Sequence, residues 1–240
     1  MSFVSWVSKI LNAFMFNQKW TCSVCGTEIF EDEYFCKDCL SKLPINTGAY
    51  CEHCGRQTIV PETYCLTCKD KLTYIDLGRS AFVYEDPISY LIKGFKYDNK
   101  KYLANVFSQY LSSVYFKNTL SADFIVFPPM TEKSQKRRGY NQAKLLAEKT
   151  SKLINVPAID VVKKVKETPR QATLNRAERE KNLENAFRIT KRKILKDKNI
   201  LIIDDVTTTG TTANVIAKRL KNAGAKHVYV LTVASVRSYK

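Results

Sequence analysis

The sequence predicts an α/β chain, a parallel, twisted sheet covered by helices on both faces and preceded by a small cysteine-rich module. Three observations predict it. From Tyr74 to Ala234, short apolar runs rich in β-branched and aromatic residues alternate with stretches of helical periodicity, the pattern of buried strands joined by helical crossovers. Ile200–Ile203 leads into Asp204-Asp205 and then Thr207-Thr208-Thr209-Gly210 before a helical pattern opens near Thr211. All eight cysteines lie between Cys22 and Cys68, in four Cys-x-x-Cys pairs.

Residues Met1 to Trp20 read as an amphipathic helix with Phe3, Val7, Ile10, Leu11 and Phe14 on one face. The segment is too short to span a bilayer and has Lys9 in its middle, without the basic start or cleavage site of a secretory signal. Packing on its own protein is the expectation, with peripheral membrane contact as the alternative.

The cysteine pairs are 22/25, 36/39, 51/54 and 65/68, with ten residues between Cys25 and Cys36 and again between Cys54 and Cys65. Thr21–Cys39 and Tyr50–Cys68 are therefore an internal repeat. A two-residue gap puts both thiolates of a knuckle on one metal, so two tetrahedral zinc sites explain all eight: Cys22, Cys25, Cys36 and Cys39, then Cys51, Cys54, Cys65 and Cys68. Crossed pairing of the knuckles and a disulfide framework are the alternatives. The module is a double zinc ribbon over residues 21–70, ahead of a second domain at 71–240.

Lys69–Thr73 links the module to that domain. Tyr74–Tyr84 is an expected strand, Pro87–Lys96 and Lys101–Tyr115 are expected helices, and Asp123–Phe127 is a short strand stopped by Pro128-Pro129. Asn141–Leu153 has helical periodicity, and Pro157–Val162 and Ala186–Thr190 can be strands. Ile200–Ile203 is the acidic strand, the helix after it runs from Thr211 to Asn222 and ends at Ala223-Gly224, and His227–Ala234 closes the sheet. Ligands of such sheets sit beyond the C-terminal strand ends, where Pro128 and Asp204 both fall.

A loop entering a helix offers free N–H groups and the positive end of the dipole, a place for phosphate without any cationic side chain. The hydroxyls of Thr207, Thr208, Thr209 and Thr211 add donors, and Gly210 permits close approach. Ionised Asp204 and Asp205 only accept hydrogen bonds and suit the vicinal hydroxyls of a ribose whose 5′-phosphate lies in the loop. Helix capping alone is the plain alternative. A Walker-type loop is excluded by the missing Gly-Lys-Ser/Thr, and an acidic motif of the haloacid-dehalogenase kind by the adjacency of the two aspartates.

The 240 residues carry a formal charge of +16, with 20 Lys/Arg against 8 Asp/Glu between Met130 and Asn199. Eight thiolates holding two Zn²⁺ bring the working charge to about +12. A basic block calls for an anionic partner, nucleic acid first among them, or serves as a solvated surface. Lys133, Lys136, Arg137 and Arg138 form a basic loop that runs through Gly139-Tyr140-Asn141-Gln142 into a helix, an anion trap for pyrophosphate or a nucleic-acid backbone. Arg170, Arg176 and Arg179 follow Pro169 and can meet phosphate charge, or can lie on a surface helix with pairs such as Glu178 and Lys181. Lys93 and Lys96 sit beside Phe95 and Tyr97, an interleaving suited to single-stranded nucleic acid, or to core packing of the aromatics. His53 is superfluous as a ligand inside the Cys51/Cys54 knuckle, and neither it nor His227 is placed as a catalytic base.

The acidic strand and threonine loop resemble the phosphoribosyl-pyrophosphate (PRPP) loop of type I phosphoribosyltransferases. That resemblance implies a ribose held by Asp204 and Asp205, its 5′-phosphate by Thr207–Thr211, Mg²⁺ arriving on the pyrophosphate, and contacts to pyrophosphate from Arg137 or Arg138 and from a closing loop around Arg170 and Arg179. Together the zinc knuckles, Lys93–Tyr97, Pro128-Pro129, Arg138–Gln142, Arg170-Gln171, Glu178-Arg179, Asn182 and the acidic loop resemble the ComF/GntX family, in the order found there, across Thr21 to Ala234. With eight cysteines the chain is most similar to the ComFC-type members. The resemblance implies a cytoplasmic protein of natural competence that handles incoming single-stranded DNA during transformation beside a helicase-like ATPase. It also implies two other outcomes: an active transferase acting on an unknown base or amine, or a PRPP-sensing regulator of a partner. Transferases of this kind hold the base with added hood segments. With six residues after Ala234, a base pocket is expected from the Met1–Phe127 region, or PRPP is held without transfer.

Overall fold

The structure is a computed structural model that describes residues 21–29, 34–69, 73–165 and 186–238. The expected helix over 1–20 and the arginine-rich stretch with Arg170, Arg176 and Arg179 lie outside the described residues. Two compact units divide the chain, Met1–Leu43 and Pro44–Lys240.

In the first unit, the Cys22/Cys25 knuckle closes with the Gly26 N–H donating to the Cys22 carbonyl at 2.9 Å. Gly26 adopts φ +75°, the left-handed turn that a glycine makes without strain. The helix α1, Lys37–Ser41, follows, with Cys36 as its N-cap. In the second unit the same turn recurs at Cys51/Cys54: Gly55 donates to the Cys51 carbonyl at 2.9 Å with φ +71°, and α2, Leu66–Lys69, carries Cys68. The repeat read from cysteine spacing is thus a repeat of backbone conformation.

The second unit then forms β1 (Leu77–Val83), α3 (Ile88–Tyr97), α4 (Leu103–Lys117), β2 (Phe124–Val126), α5 (Glu132–Arg138), α6 (Gln142–Ile154), β3 (Val162–Lys164), β4 (Phe187–Ile189), β5 (Asn199–Thr207), α7 (Thr211–Lys221) and β6 (His227–Ser235). The main sheet has the order β1-β6-β5-β2, every pair parallel. α4 packs on β1, β6 and α6, and α6 packs on β5 and β2, whereas α7 packs on β6 and β4. Leu201 and Ile203 alternate along β5 with Ile200 and Ile202, and the latter pair joins Ala213, Ile216 and Leu220 of α7 in one apolar core.

Three expectations need correction. The acidic strand does not stop at Ile203: β5 continues to Thr207, because β6 runs beside it with Asp204 opposite Thr232 and Thr207 opposite Ser235. Pro157–Val162 is not a strand of the main sheet. It gives one bridge, Ala158 to Ile125, after which Val161 and Val162 both turn into the core. The strand that follows, β3, pairs antiparallel with β4 as a separate two-stranded sheet. Finally, the basic run after Pro129 is a short helix rather than a loop. Thr131 caps its start by accepting from the Ser134 N–H at 3.1 Å, and Gly139 ends it at φ +79°.

Candidate functional site

Consecutive residues of a strand face opposite sides of the sheet, so the two aspartates cannot act as one bidentate group on one face. Asp204 follows Ile200 and Ile202 toward the α7 side, and Asp205 follows Leu201 and Ile203 toward α3 and α6. There Lys96 meets it, with Nζ 2.8 Å from Asp205 Oδ1 and both side chains largely out of water. Burial alone would lower the Lys96 pKa; the Asp205 charge and hydrogen bond outweigh it and raise it. Asp204 accepts the Asp205 backbone N–H at 2.8 Å. Burial, followed by the neighbouring Asp205 charge, pushes its carboxyl up to about 7.

The strand ends at Thr207, and its loop enters α7 through Gly210, at φ +71°. Thr207 and Thr211 are buried, Thr209 and Thr211 share a hydroxyl hydrogen bond of 2.8 Å, and the Thr211 N–H donates to Thr209 Oγ1 at 3.4 Å. The Thr209 and Gly210 N–H groups have no acceptor among the described residues. Asp204, Thr207–Thr211, Lys96 and Tyr84 line one cleft of about 320 Å³. It opens beyond the C-terminal ends of β1 and β5, and it offers amide donors and a helix N-terminus at one end and the Asp204 carboxylate as acceptor at the other.

The Arg138–Gln142 motif supports this cleft from behind. The Tyr140 hydroxyl donates to the Phe95 carbonyl, Gln142 Nε2 to the Lys96 carbonyl at 3.5 Å, and Asn141 Nδ2 to the Pro128 carbonyl at 3.0 Å. The motif therefore fixes the last turn of α3, from which Lys96 projects. Arg138 stacks its guanidinium 5.0 Å from the Tyr97 ring centroid and donates to the Tyr97 hydroxyl at 3.4 Å. Its charge also acts on Lys96.

Of the residues expected on a nucleic-acid face, Lys93, Lys136, Arg137 and Tyr97 are exposed, and Lys133 lies on the same short helix as Lys136. Lys96 is not among them, since its ammonium is committed to Asp205. A second cavity, of about 830 Å³, opens between α5, α6 and β3, with Lys101, Lys144, Lys163 and Lys164 among its lining residues together with Glu148 and Asp160. Lys101 lies 5.2 Å from the Tyr140 ring centroid there.

The cysteines gather into two groups, Cys22, Cys25, Cys36 and Cys39, and Cys51, Cys54, Cys65 and Cys68, with the sulfur atoms of each group within 4.8 Å of one another. That gathering follows the sequential pairing and not the crossed one. Four thiolates at such separations match a tetrahedral zinc with Zn–S bonds of about 2.3 Å, so the donor set fits the metal. The second group is fixed to the sheet by backbone contact. A Cβ on Gly55 would stand 2.5 Å from the Gly78 carbonyl oxygen, and one on Gly78 2.9 Å from the Cys54 carbonyl. Arg79 of β1 donates to the Glu52 carbonyl at 2.6 Å and meets its carboxylate at 3.0 Å.

Two residues escaped the sequence reading. Lys96, expected on a nucleic-acid face, stands against Asp205 of the acidic strand. Arg56, buried beside the second cysteine group, was not singled out at all. Its place two residues after Cys54, between the two knuckles of one metal group, is the available signal.

A parallel sheet whose acidic strand runs through a threonine turn into a helix, preceded in the chain by two four-cysteine groups, defines a phosphoribosyltransferase-like protein with a double zinc ribbon. Family models agree: residues 137–240 match the phosphoribosyl transferase domain and 13–69 the double zinc ribbon domain. Competence protein F of Haemophilus influenzae is 35% identical over 158 residues, 63% of this chain and 69% of that protein. Competence protein ComFC of Bacillus subtilis is 30% identical over 214 residues, 86% and 85% of the two chains. The DNA utilization protein YhgH of Escherichia coli K12 is 31% identical over 153 residues, 61% and 66%. The chain belongs to the ComF family of competence proteins. Among solved structures, the allosteric regulatory enzyme of purine biosynthesis aligns with a TM-score of 0.37 at 18% identity, over 55% of this chain and 26% of that one. No helix among the described residues is long and apolar enough to cross a membrane.

Proposed function

We propose that this chain is a cytoplasmic competence protein that handles single-stranded DNA in transformation and binds Mg-PRPP at the β5–α7 cleft. One observation carries the reading: a helix N-terminus with unpartnered loop amides and the Asp204 carboxylate lie in one cleft of about 320 Å³, the separation of functions that a ribose 5-phosphate needs. Asp204 accepts from ribose hydroxyls, Asp205 is held in place by Lys96, and Thr207–Thr211 take the 5′-phosphate. The carboxylates are hard oxygen donors, which suits Mg²⁺, a metal bound through one or two carboxylates and substrate phosphates rather than by an all-protein cage. Arg137, Arg138, Arg170 and Arg179 are assigned to pyrophosphate or DNA phosphate. Lys93, Tyr97, Lys133, Lys136 and Arg176 are assigned to DNA.

The DNA role draws its support from the names of the relatives, from exposed Lys93, Lys136 and Arg137, and from the lysine-lined cavity. A helicase-like ATPase is the protein partner this reading requires. The deciding measurement is thermal stability with and without Mg-PRPP, in the wild type and in Asp204→Asn with Asp205→Asn. Saturation at about 100 times the dissociation constant stabilises the wild type by about 2.7 kcal/mol and leaves the double variant unmoved. Absence of any wild-type shift overturns the ligand.

A further inference from the structure

One arginine joins the second cysteine group to the phosphate turn. Arg56 is 5% exposed, and each arm of its guanidinium is engaged. Nε donates to Cys54 Sγ and Nη2 to Cys65 Sγ, both at 3.4 Å, while Nη1 donates to the Thr208 carbonyl at 3.1 Å. Cys54 belongs to one knuckle of the group and Cys65 to the other, so the two sulfurs hold their places only while the four converge. The guanidinium is planar and rigid, so the positions of the sulfurs set the direction of the third donor.

The consequence reaches the cleft through a single peptide plane. In a trans peptide the N–H points opposite to the C=O, so pinning the Thr208 carbonyl toward Arg56 pins the Thr209 N–H away from it. That amide and the next, Gly210, have no acceptor among the described residues. A turn whose amides are aimed beforehand binds an anion without the cost of ordering them.

We infer that Arg56 is a positioning residue that couples the metal state of the Cys51/Cys54/Cys65/Cys68 group to the phosphate turn. With the four sulfurs gathered on zinc, Arg56 is locked and the turn is preformed. When the metal leaves, the sulfurs separate, Arg56 loses two of its acceptors, and the Thr208 peptide is free to rotate. The inference deepens the proposed Mg-PRPP site and rests on that reading for its ligand, but not for the coupling itself.

The test reads the turn directly. Amide hydrogen exchange of the segment 205–213 is followed by mass spectrometry in wild type, Arg56→Met and Arg56→Lys, with zinc per chain counted in the same samples and Mg-PRPP affinity measured by calorimetry. In Arg56→Met with zinc retained, exchange in the segment quickens and Mg-PRPP binds about tenfold more weakly, close to the weight of one hydrogen bond from a charged donor. Arg56→Lys, which keeps the charge without the fork, gives the same loosening. Unchanged exchange in zinc-loaded Arg56→Met overturns the coupling. Graded removal of zinc from the wild type is the arm that does not depend on a folded variant: it quickens exchange in 205–213, and a segment indifferent to metal loss also overturns the coupling. Quickened exchange in a protein that never binds Mg-PRPP leaves the coupling standing and removes the ligand instead.

Discussion

Lys96 Nζ lies 2.8 Å from Asp205 Oδ1, and this contact ties the last turn of α3 to the acidic strand. It also leaves Asp204 as the carboxylate with free capacity in the cleft, since Asp205 has a partner and Asp204 has only a backbone amide. A pair this far out of water is sensitive to the loss of one member, because the survivor stays charged and buried.

Lys96→Met therefore destabilises the protein by about 3 kcal/mol. Adding Asp205→Asn recovers most of the loss, because no uncompensated charge remains. Chemical denaturation of the two single variants and the double checks this. Simple additivity of the single effects would mean that the pair is not coupled.

The raised pKa of Asp204 makes stability depend on pH. An unfolded aspartate titrates near 3.9, while folded Asp204 titrates at about 7, so over that interval the folded chain holds the extra proton. Stability contributed by this group falls as pH rises from about 4 to about 7 and is level above that. Asp204→Asn cannot lose the proton, and so it raises Tm at pH 8 and changes it little at pH 5. Each 1 kcal/mol gained appears as about 2–4 °C in a chain of this size. An equal shift at both pH values would contradict the assignment.

The repeated glycines answer differently to the same substitution. Gly26 and Gly55 occupy matching turns with φ of +75° and +71°, but a Cβ on Gly26 meets nothing within 4 Å among the described residues, whereas one on Gly55 strikes β1. Gly26→Ala costs about 1–2 kcal/mol of backbone strain, and Gly55→Ala costs about 3 kcal/mol or more once the clash is added. Melting curves with zinc content on both variants read the contrast, and equal losses would argue against the contact between Gly55 and β1.

DNA binding through the exposed basic residues is salt-dependent, because each phosphate contact releases a counterion. Lys136→Ala with Arg137→Ala lowers the slope of log affinity against log salt by about 1–2 for a single strand, with little sequence dependence. Fluorescence titrations at several salt concentrations measure it. A slope unchanged by the double substitution removes these residues from the interface.

Apolar periodicity and cysteine spacing made most of this architecture legible, because both are local signals. β1, α3, α4, β2, α6, β5, α7 and β6 all fall within a few residues of where the pattern puts them. The misreadings were cases in which a distant segment decided the outcome. β5 outruns its apolar stretch because β6 offers a ladder beside the aspartates, and Pro157–Val162 leaves the main sheet because β4 supplies the partner that β3 takes. In the cleft, adjacent aspartates were legible as acceptors, but their division between two faces is a property of the pleat, and the partner of Asp205 comes from a helix some hundred residues earlier. Arg56 was hidden for the same reason: nothing near it in the chain announces Thr208.

The backbone contact between Gly55 and Gly78 bears on how this chain tolerates rearrangement. Cysteine-rich ribbons are commonly pictured as detachable heads, but a deletion ending at residue 70 would expose the flank of β1 and strand Arg79, which is 8% exposed and reaches toward Glu52. Swapping or trimming is better placed after Leu43, where the first compact unit ends. Of the two ribbons, the second shares its compact unit with the sheet and is to be moved together with it.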